Sequence, residues 1–155
     1  MSRFPVAPLE EWYRVLYHEC DCDISGSGVE DYTLGELLKM TDVSFADLQT
    51  LLLNDSTSLG ALSLRSAIAN VWGNGDADRV MTTNGGNEAL FLLSYALLER
   101  GDELVVLNPC YHAHSHVARS MGVDVKGWQL RFEDGFRPNL GELEQLVNSR
   151  TKAII

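Results

Sequence analysis

The sequence predicts an α/β fold in which a mostly parallel sheet carries helices on both faces. The first observation is an alternation of short apolar strands and helices that runs from Arg79 to the last residue, Ile155. This alternation is typical of parallel sheets, because each connection between parallel strands needs a crossover helix. The second observation is that polar residues follow the apolar strands, as at Asn84 and Asn108. Ligands of open α/β sheets bind at such carboxyl ends of strands.

The amino-terminal third predicts short helices joined by loops. Leu9, Trp12 and Leu16 recur at helical spacing, which predicts an amphipathic helix over residues 9–20. Short side chains and glycines over residues 21–28 predict a loop with unusual backbone conformations. Further helices are predicted over residues 33–40, 44–53 and 61–71.

The remaining residues predict strands and helices in regular alternation. Gly101 and Gly122 are expected to end the helices that precede them, because glycine adopts the left-handed conformation common after helix ends. Residues 89–98 carry no charge, so their helix is expected to be buried on nearly all sides. The predicted order is a strand over 80–83, a helix to residue 100, a strand over 103–107, a helix over 111–121, a strand over 123–130, a helix over 140–147 and a strand from 152.

Charge and composition disfavour several classes of function. The 155 residues contain 12 basic and 22 acidic side chains, a formal net charge of −10, which disfavours binding to nucleic acids or anionic membrane surfaces. The sequence has neither an apolar run of membrane-spanning length nor a signal peptide, so a cytoplasmic location is expected. Cys20, Cys22 and Cys110 lack a disulfide-framework spacing and are expected to be reduced thiols.

A strand, a glycine pair and a helix follow one another directly in Thr82-Thr83-Asn84-Gly85-Gly86-Asn87-Glu88-Ala89. Glycines let the backbone approach a ligand closely, and the free N–H groups of a first helical turn favour an anion. The pattern therefore fits a phosphate site, and a plain tight turn between strand and helix fits it equally well. It is neither a Walker loop nor a GxGxxG fingerprint.

A second loop, Asn108-Pro109-Cys110-Tyr111, follows the next predicted strand. Tyr111 is suited either to stack on a flat cofactor ring or to close the end of the sheet as an aromatic plug. His112, His114 and His116 come next, but a spacing of two does not place three imidazoles on one helix face, so we expect no metal site. His112 or His114 is instead a candidate for proton transfer, with a surface position as the alternative.

Several segments together resemble the class I/II aminotransferases, which use pyridoxal 5'-phosphate (PLP) and have the fold-type I architecture. They are Gly101-Asp102-Glu103-Leu104-Val105-Val106, Leu140-Gly141-Glu142-Leu143-Glu144, Thr151-Lys152-Ala153-Ile154-Ile155, and Leu59-Gly60 followed by Leu64-Arg65 and Ile68-Ala69. The resemblance implies PLP as the cofactor and a homodimer as the assembly. It also implies an amino-terminal arm and lid segment over residues 1–70, and the first part of the large PLP-binding domain over 71–155.

The same resemblance implies roles for individual residues. The amides of Gly85, Gly86 and Asn87 are expected on the cofactor phosphate, Tyr111 against the pyridine ring, and Gly28 beside the substrate carboxylate.

Other segments are similar to one branch of that family, which contains capreomycidine synthase and enduracididine-forming relatives. These segments are Ala7–Trp12, Asp23–Val29 and Tyr32–Leu37, and Asp55 stands where the wider family has a tyrosine. The branch implies a cyclodehydratase of natural-product biosynthesis that converts a hydroxylated L-arginine to a cyclic guanidine amino acid. A guanidinium favours carboxylate partners, and the residues expected at the substrate are Glu10, Ser25, Ser27, Gly28 and Asp55. An aminotransferase acting on a cationic amino acid is the alternative.

The lysines leave a further alternative open. None of Lys39, Lys126 and Lys152 has the serine-rich, glycine- and arginine-flanked context of the family's Schiff-base lysine, so this catalytic residue is not expected within the chain. A non-catalytic binding or assembly fragment is therefore a possible interpretation. Because the sequence ends inside an apolar strand at Ile154 and Ile155, we expect it to be the amino-terminal part of a longer enzyme.

Overall fold

A computed structural model describes residues 6–19, 21, 22, 24 and 26–155 of the chain. The chain divides into two units, one formed by residues 1–14 with 83–155 and the other by residues 15–82. Within the described residues the helices are α1 (Pro8–Leu16), α2 (Leu34–Lys39), α3 (Phe45–Gln49), α4 (Leu62–Trp72), α5 (Gly86–Leu97), α6 (Ala113–Met121) and α7 (Leu140–Leu146). The strands are β1 (Glu103–Asn108), β2 (Asp124–Gln129) and β3 (Thr151–Ile154).

The strands of the first unit form a parallel sheet in the order β2–β1–β3 among the described residues. The central strand β1 is buried through Leu104, Val105 and Val106, as expected for a parallel strand covered on both faces. Leu104 and Val106 pack with Leu98, Ala118 and Val123 in the core cluster of this unit. The predicted parallel sheet is therefore confirmed.

Gly122 ends α6 as the sequence predicted. Its φ of +86° lies in the left-handed region, and its N–H donates to the carbonyls of Ala118 and Arg119. A residue with a Cβ is strained in that conformation, which explains the glycine. The chain then enters β2 after the buried Val123.

An ionic cluster around one buried carboxylate lies where β1 begins. The side chain of Glu103 is fully buried and forms an ion pair with Lys126 Nζ at 2.6 Å and another with Arg150. Asn148 Nδ2 also donates to this carboxylate, at 2.6 Å. The hydrogen bond from Lys126 holds the pKa of Glu103 below its ordinary value, with Asn148 and Arg150 acting in the same sense against the effect of burial.

In the second unit, α2 and α3 begin with capping boxes, formed by Thr33 with Glu36 and by Ser44 with Asp47. Arg65 of α4 is a buried cation whose Nε donates to the Gly60 carbonyl at 3.2 Å. Its Nη1 donates to the carbonyl of Ala77 at 2.7 Å. The guanidinium thereby ties the start of α4 to the segment that follows the helix.

Three sequence predictions about the segment around α5 are wrong. Residues 80–83 form no strand, because the Thr82 N–H donates to the Leu59 carbonyl instead of to a neighbouring strand. The helix ends at Leu97 rather than at Arg100, because Leu98 is extended with ψ 140° and its side chain enters the core cluster. Gly101 therefore does not end this helix, and its N–H instead donates to the Gly122 carbonyl at 3.2 Å.

The expected burial of α5 on nearly all sides is also wrong in the described chain. Ser94 is its buried residue, whereas Phe91, Tyr95 and Leu97 are exposed by 44%, 70% and 60%. A helix without charged residues has an apolar surface, but the absence of charge does not mean that neighbouring elements cover every side of it. None of the helices among the described residues is both long and apolar enough to cross a membrane.

Candidate active site

The turn before α5 has the geometry of an anion site. Gly85 is the N-cap residue, with φ +85° and ψ 166°, a conformation that favours glycine. The turn is braced by the Gly85 N–H, which donates to the Thr83 carbonyl at 2.9 Å, and by Thr83 Oγ1, which donates to the Gly85 carbonyl at 2.9 Å. A Cβ placed on Gly85 or Gly86 would meet no atom within 4 Å. The space in front of the helix is therefore open to a ligand.

Some backbone amides of this turn donate to protein groups, and others have no acceptor within the helix. The Asn84 N–H donates to the carboxylate of Glu88 at 2.5 Å. The amides of Gly86 and Asn87 lie in the first turn of α5, where N–H groups have no acceptor within the helix. Together with the helix dipole, these amides fit the phosphate group of a cofactor.

Tyr111 lies next to this turn and is held by its hydroxyl group. The hydroxyl donates to Glu10 Oε1 at 2.9 Å and accepts from Asn87 Nδ2 at 3.2 Å. His112 and His114 flank the tyrosine ring, with centroid distances of 4.4 Å and 6.1 Å. The half-buried ring is thus oriented by hydrogen bonds from two different helices, α1 and α5.

The structure therefore brings together three of the residues predicted from sequence: Glu10, Asn87 and Tyr111. The contact between Glu10 and Tyr111 was not predicted, since 101 residues separate them. The amphipathic pattern of α1 indicated that the helix has a packing face. It did not indicate what that face would contact.

The other predicted substrate residues belong to the second unit or lie outside the described residues. Ser27, Gly28 and Asp55 are exposed residues of the second unit. Within the described part of the chain, Asp55 forms no ion pair and its side chain makes no hydrogen bond. Ser25, like Asp23 and Cys20, lies outside the described residues. Roles for these residues stay predictions.

The three lysines lie in an ion pair, at a helix end and on a strand. Lys126 is engaged in the ion pair with the buried Glu103. Lys39 ends α2 and Lys152 lies on β3, and both are exposed. Among the residues that the structure describes, no group of histidine, cysteine, aspartate or glutamate side chains could hold a metal ion.

Comparisons with known proteins agree on the family and the fold. Residues 40–155 match the family model described as aminotransferase class I and II. The chain is 41% identical over 153 residues to capreomycidine synthase from Streptomyces vinaceus, an alignment that covers 97% of this chain and 39% of that protein. This chain thus spans about two fifths of the length of that curated relative.

Two solved structures are similar over essentially the whole chain. A PLP-dependent aminotransferase from Streptococcus suis has a TM-score of 0.90 at 29% identity, covering 99% of this chain and 42% of that one. The PLP-dependent cyclase OrfR has a TM-score of 0.89 at 38% identity, covering 100% of this chain and 41% of that one. These similarities confirm the predicted fold-type I architecture, of which the parallel sheet and its helices form a part. The chain belongs to the class I and II aminotransferase family.

Proposed function

We propose that the protein is a PLP-dependent cyclase that converts a hydroxylated L-arginine to a cyclic guanidine amino acid with net loss of water. The observation that carries the proposal is the 41% identity to capreomycidine synthase over 97% of the chain. That alignment includes the amino-terminal segments, whereas the match to the general family model begins at residue 40. The similarity to the cyclase OrfR, 38% identical, supports the same conclusion.

The first unit supplies groups suited to hold the cofactor. In this proposal the backbone amides of Gly86 and Asn87 bind the phosphate of PLP, and the face of Tyr111 packs against its ring. The Gly85 amide, also predicted on the phosphate, donates instead to the Thr83 carbonyl at 2.9 Å, so Gly85 shapes the turn. The open approach to the two glycines supports this placement. When bound, PLP would supply an electron sink that stabilises negative charge at the substrate Cα. Asn87 links the phosphate contact to the ring contact, because its side-chain amide donates a hydrogen bond to the Tyr111 hydroxyl.

Carboxylates are the proposed partners of the substrate guanidinium. Glu10 presents its carboxylate at the edge of the Tyr111 ring and uses Oε1 for the tyrosine hydroxyl. A guanidinium can donate to a second oxygen of the same carboxylate, since a carboxylate accepts several hydrogen bonds. Asp55 is the second proposed partner, with Ser25, Ser27 and Gly28 on the same amino-terminal segment as further substrate contacts.

The experiment measures the fate of hydroxy-L-arginine in the whole protein supplied with PLP. We expect a product lighter by one water and exchange of the Cα proton in heavy water, without consumption of any 2-oxo acid. Glu10→Gln and Asp55→Asn should each slow turnover by about tenfold or more, because a charge-assisted contact to the substrate is lost. The matched control is Glu11→Gln on the same helix, since Glu11 is engaged with Arg14 at the surface.

A class I/II aminotransferase acting on a cationic amino acid is the second candidate, and the family assignment of residues 40–155 favours it. This candidate requires a 2-oxo acid as the amino-group acceptor. Product formation that depends on a 2-oxo acid and yields a keto group would therefore replace the cyclase proposal. We also propose a cytoplasmic homodimer, as the acidic sequence and the family suggest, with product rings of the capreomycidine or the enduracididine type.

A further inference from the structure

A polar cavity lies between α6 and one face of the sheet, near the carboxyl ends of β1 and β2. Its volume is about 350 Å³, which falls within the range of small-molecule sites. Its polar lining includes Asn108, Gln129, Cys110, His112, His116 and Arg119. We call it the histidine–arginine cavity.

The charge of this cavity is opposite to that of the protein. The chain has a formal net charge of −10, yet none of the residues lining the cavity is an aspartate or glutamate. Within the described residues, no carboxylate forms an ion pair with Arg119. Arg119 is an exposed lining residue, and it contributes a permanent positive charge that no described carboxylate pairs with.

His112 adds one buried polar atom, Nδ1, that has no hydrogen-bond partner among the described residues. Burial, and then the neighbouring His112 and Arg119, lower the pKa of His116 below its ordinary value. The His112 and His116 rings lie 5.5 Å apart between centroids. An orphaned buried nitrogen on a lining residue is a group that a bound polar ligand would satisfy.

The sheet keeps this space open. Gly127 of β2 lines the cavity, and a Cβ there would lie 2.7 Å from Gln129 Nε2. Gln129 Oε1 accepts from Asn108 Nδ2 at 2.8 Å, so the two amides form a fixed pair at the strand ends. Glycine at position 127 therefore leaves room for the Gln129 side chain in its pairing with Asn108.

We propose that the histidine–arginine cavity binds a small organic carboxylate that carries a second polar group, with the carboxylate on Arg119. One permanent cation matches a monoanion better than it matches a phosphate dianion. The planar guanidinium also suits a carboxylate, to which it can donate two parallel hydrogen bonds. The orphaned His112 nitrogen and the Asn108–Gln129 pair would then contact the second polar group. This proposal does not depend on the proposed cyclase activity or on PLP.

The test follows the imidazole signals of His112 and His116 by NMR in the whole protein containing ring-labelled histidine. The signals are assigned with His112→Gln and His116→Gln. The probes are L-lactate, inorganic phosphate and chloride, added at equal ionic strength. We expect L-lactate to shift both signals saturably, with weaker effects from phosphate and none beyond ionic strength from chloride. Arg119→Gln should weaken the apparent L-lactate affinity about tenfold.

Arg137→Gln is the matched control, because Arg137 is exposed in the same unit and does not line the cavity. It removes the same charge and should leave the titration unchanged. Equal weakening by Arg119→Gln and Arg137→Gln would overturn the proposal, since it would show a general charge effect. Tighter binding of phosphate than of L-lactate, or no saturable shift of either histidine, would also overturn it.

Discussion

Replacement of Tyr111 by phenylalanine separates the role of the ring from that of the hydroxyl. The variant keeps the aromatic face and removes the donor to Glu10 Oε1, at 2.9 Å, together with the acceptor for Asn87 Nδ2, at 3.2 Å. A hydrogen bond to a charged group contributes about 1.5–3 kcal/mol. Because Glu10 is exposed, solvent reduces this to about 1 kcal/mol. We therefore expect the free energy of unfolding to fall by about 1 kcal/mol.

The assay combines denaturant unfolding with PLP titration in the whole protein. Tyr111→Phe should retain PLP affinity within about threefold, whereas Tyr111→Ala should lose about tenfold, because aromatic stacking contributes about 0.5–1.5 kcal/mol. A double-mutant cycle of Tyr111→Phe with Glu10→Ala should give a coupling energy of about 0.5–1 kcal/mol. Tyr95→Phe is the matched control, since Tyr95 is 70% exposed on α5.

Two results would refute this reasoning. Equal loss of PLP affinity in Tyr111→Phe and Tyr111→Ala would show that the hydroxyl, rather than the ring, binds the cofactor. A coupling energy near zero between positions 10 and 111 would show that the hydrogen bond between Glu10 and Tyr111 contributes nothing to the folded state.

Three further predictions concern stability. The partners of Glu103 lower its pKa, so the stabilisation that they provide is present above the ordinary carboxyl pKa and is lost as pH falls through the lowered value. Stability measured against pH by circular dichroism should therefore fall less steeply in acid for Glu103→Gln than for the unchanged protein. An unchanged slope would contradict this. Gly60→Ala should destabilise the protein by about 1–3 kcal/mol, since φ is +98° and the new Cβ would collide with Thr82 Oγ1. Calorimetry should show that Thr82→Ala partly restores the stability of this variant. A Gly60→Ala protein as stable as the unchanged one would refute the predicted backbone strain and collision. Arg65→Met should cost about 2 kcal/mol in denaturant unfolding by leaving backbone carbonyls unpaired, and a cost no larger than that of the surface variant Arg79→Met would contradict this.

The carboxyl-terminal half of the fold was largely predictable from sequence, because local signals there agree with the global fold. The apolar run at β1 and the left-handed Gly122 both predict what the structure has. The segment from residue 80 to 101 was less predictable. A strand at 80–83 depends on hydrogen-bond partners distant in sequence, and the end of α5 depends on Leu98 turning into the core.

The candidate site was also only partly predictable from the sequence. The glycine turn at Gly85 and the tyrosine after β1 were predicted because strand ends and helix starts are local features. The bond between Glu10 and Tyr111 and the burial of Glu103 were not, since both depend on tertiary partners. The sequence does show that a charged residue, Glu103, begins an apolar strand. It does not show that the cations of Lys126 and Arg150 pair with that residue.

The hydrogen bond between Glu10 and Tyr111 also has a consequence for the order in which the chain folds during synthesis. It joins residues 101 apart, whereas the bond from Asn87 to Tyr111 joins residues only 24 apart. Closing the longer loop costs about 1.2 kcal/mol more, at about 0.6 kcal/mol for each doubling of length. A ribosome adding about 5–20 residues per second needs about 5–20 s to reach Tyr111 after Glu10. An isolated helix of the length of α1, 9 residues, is marginal in water, so the amino terminus should remain sensitive to proteases on nascent chains until Tyr111 has left the exit tunnel.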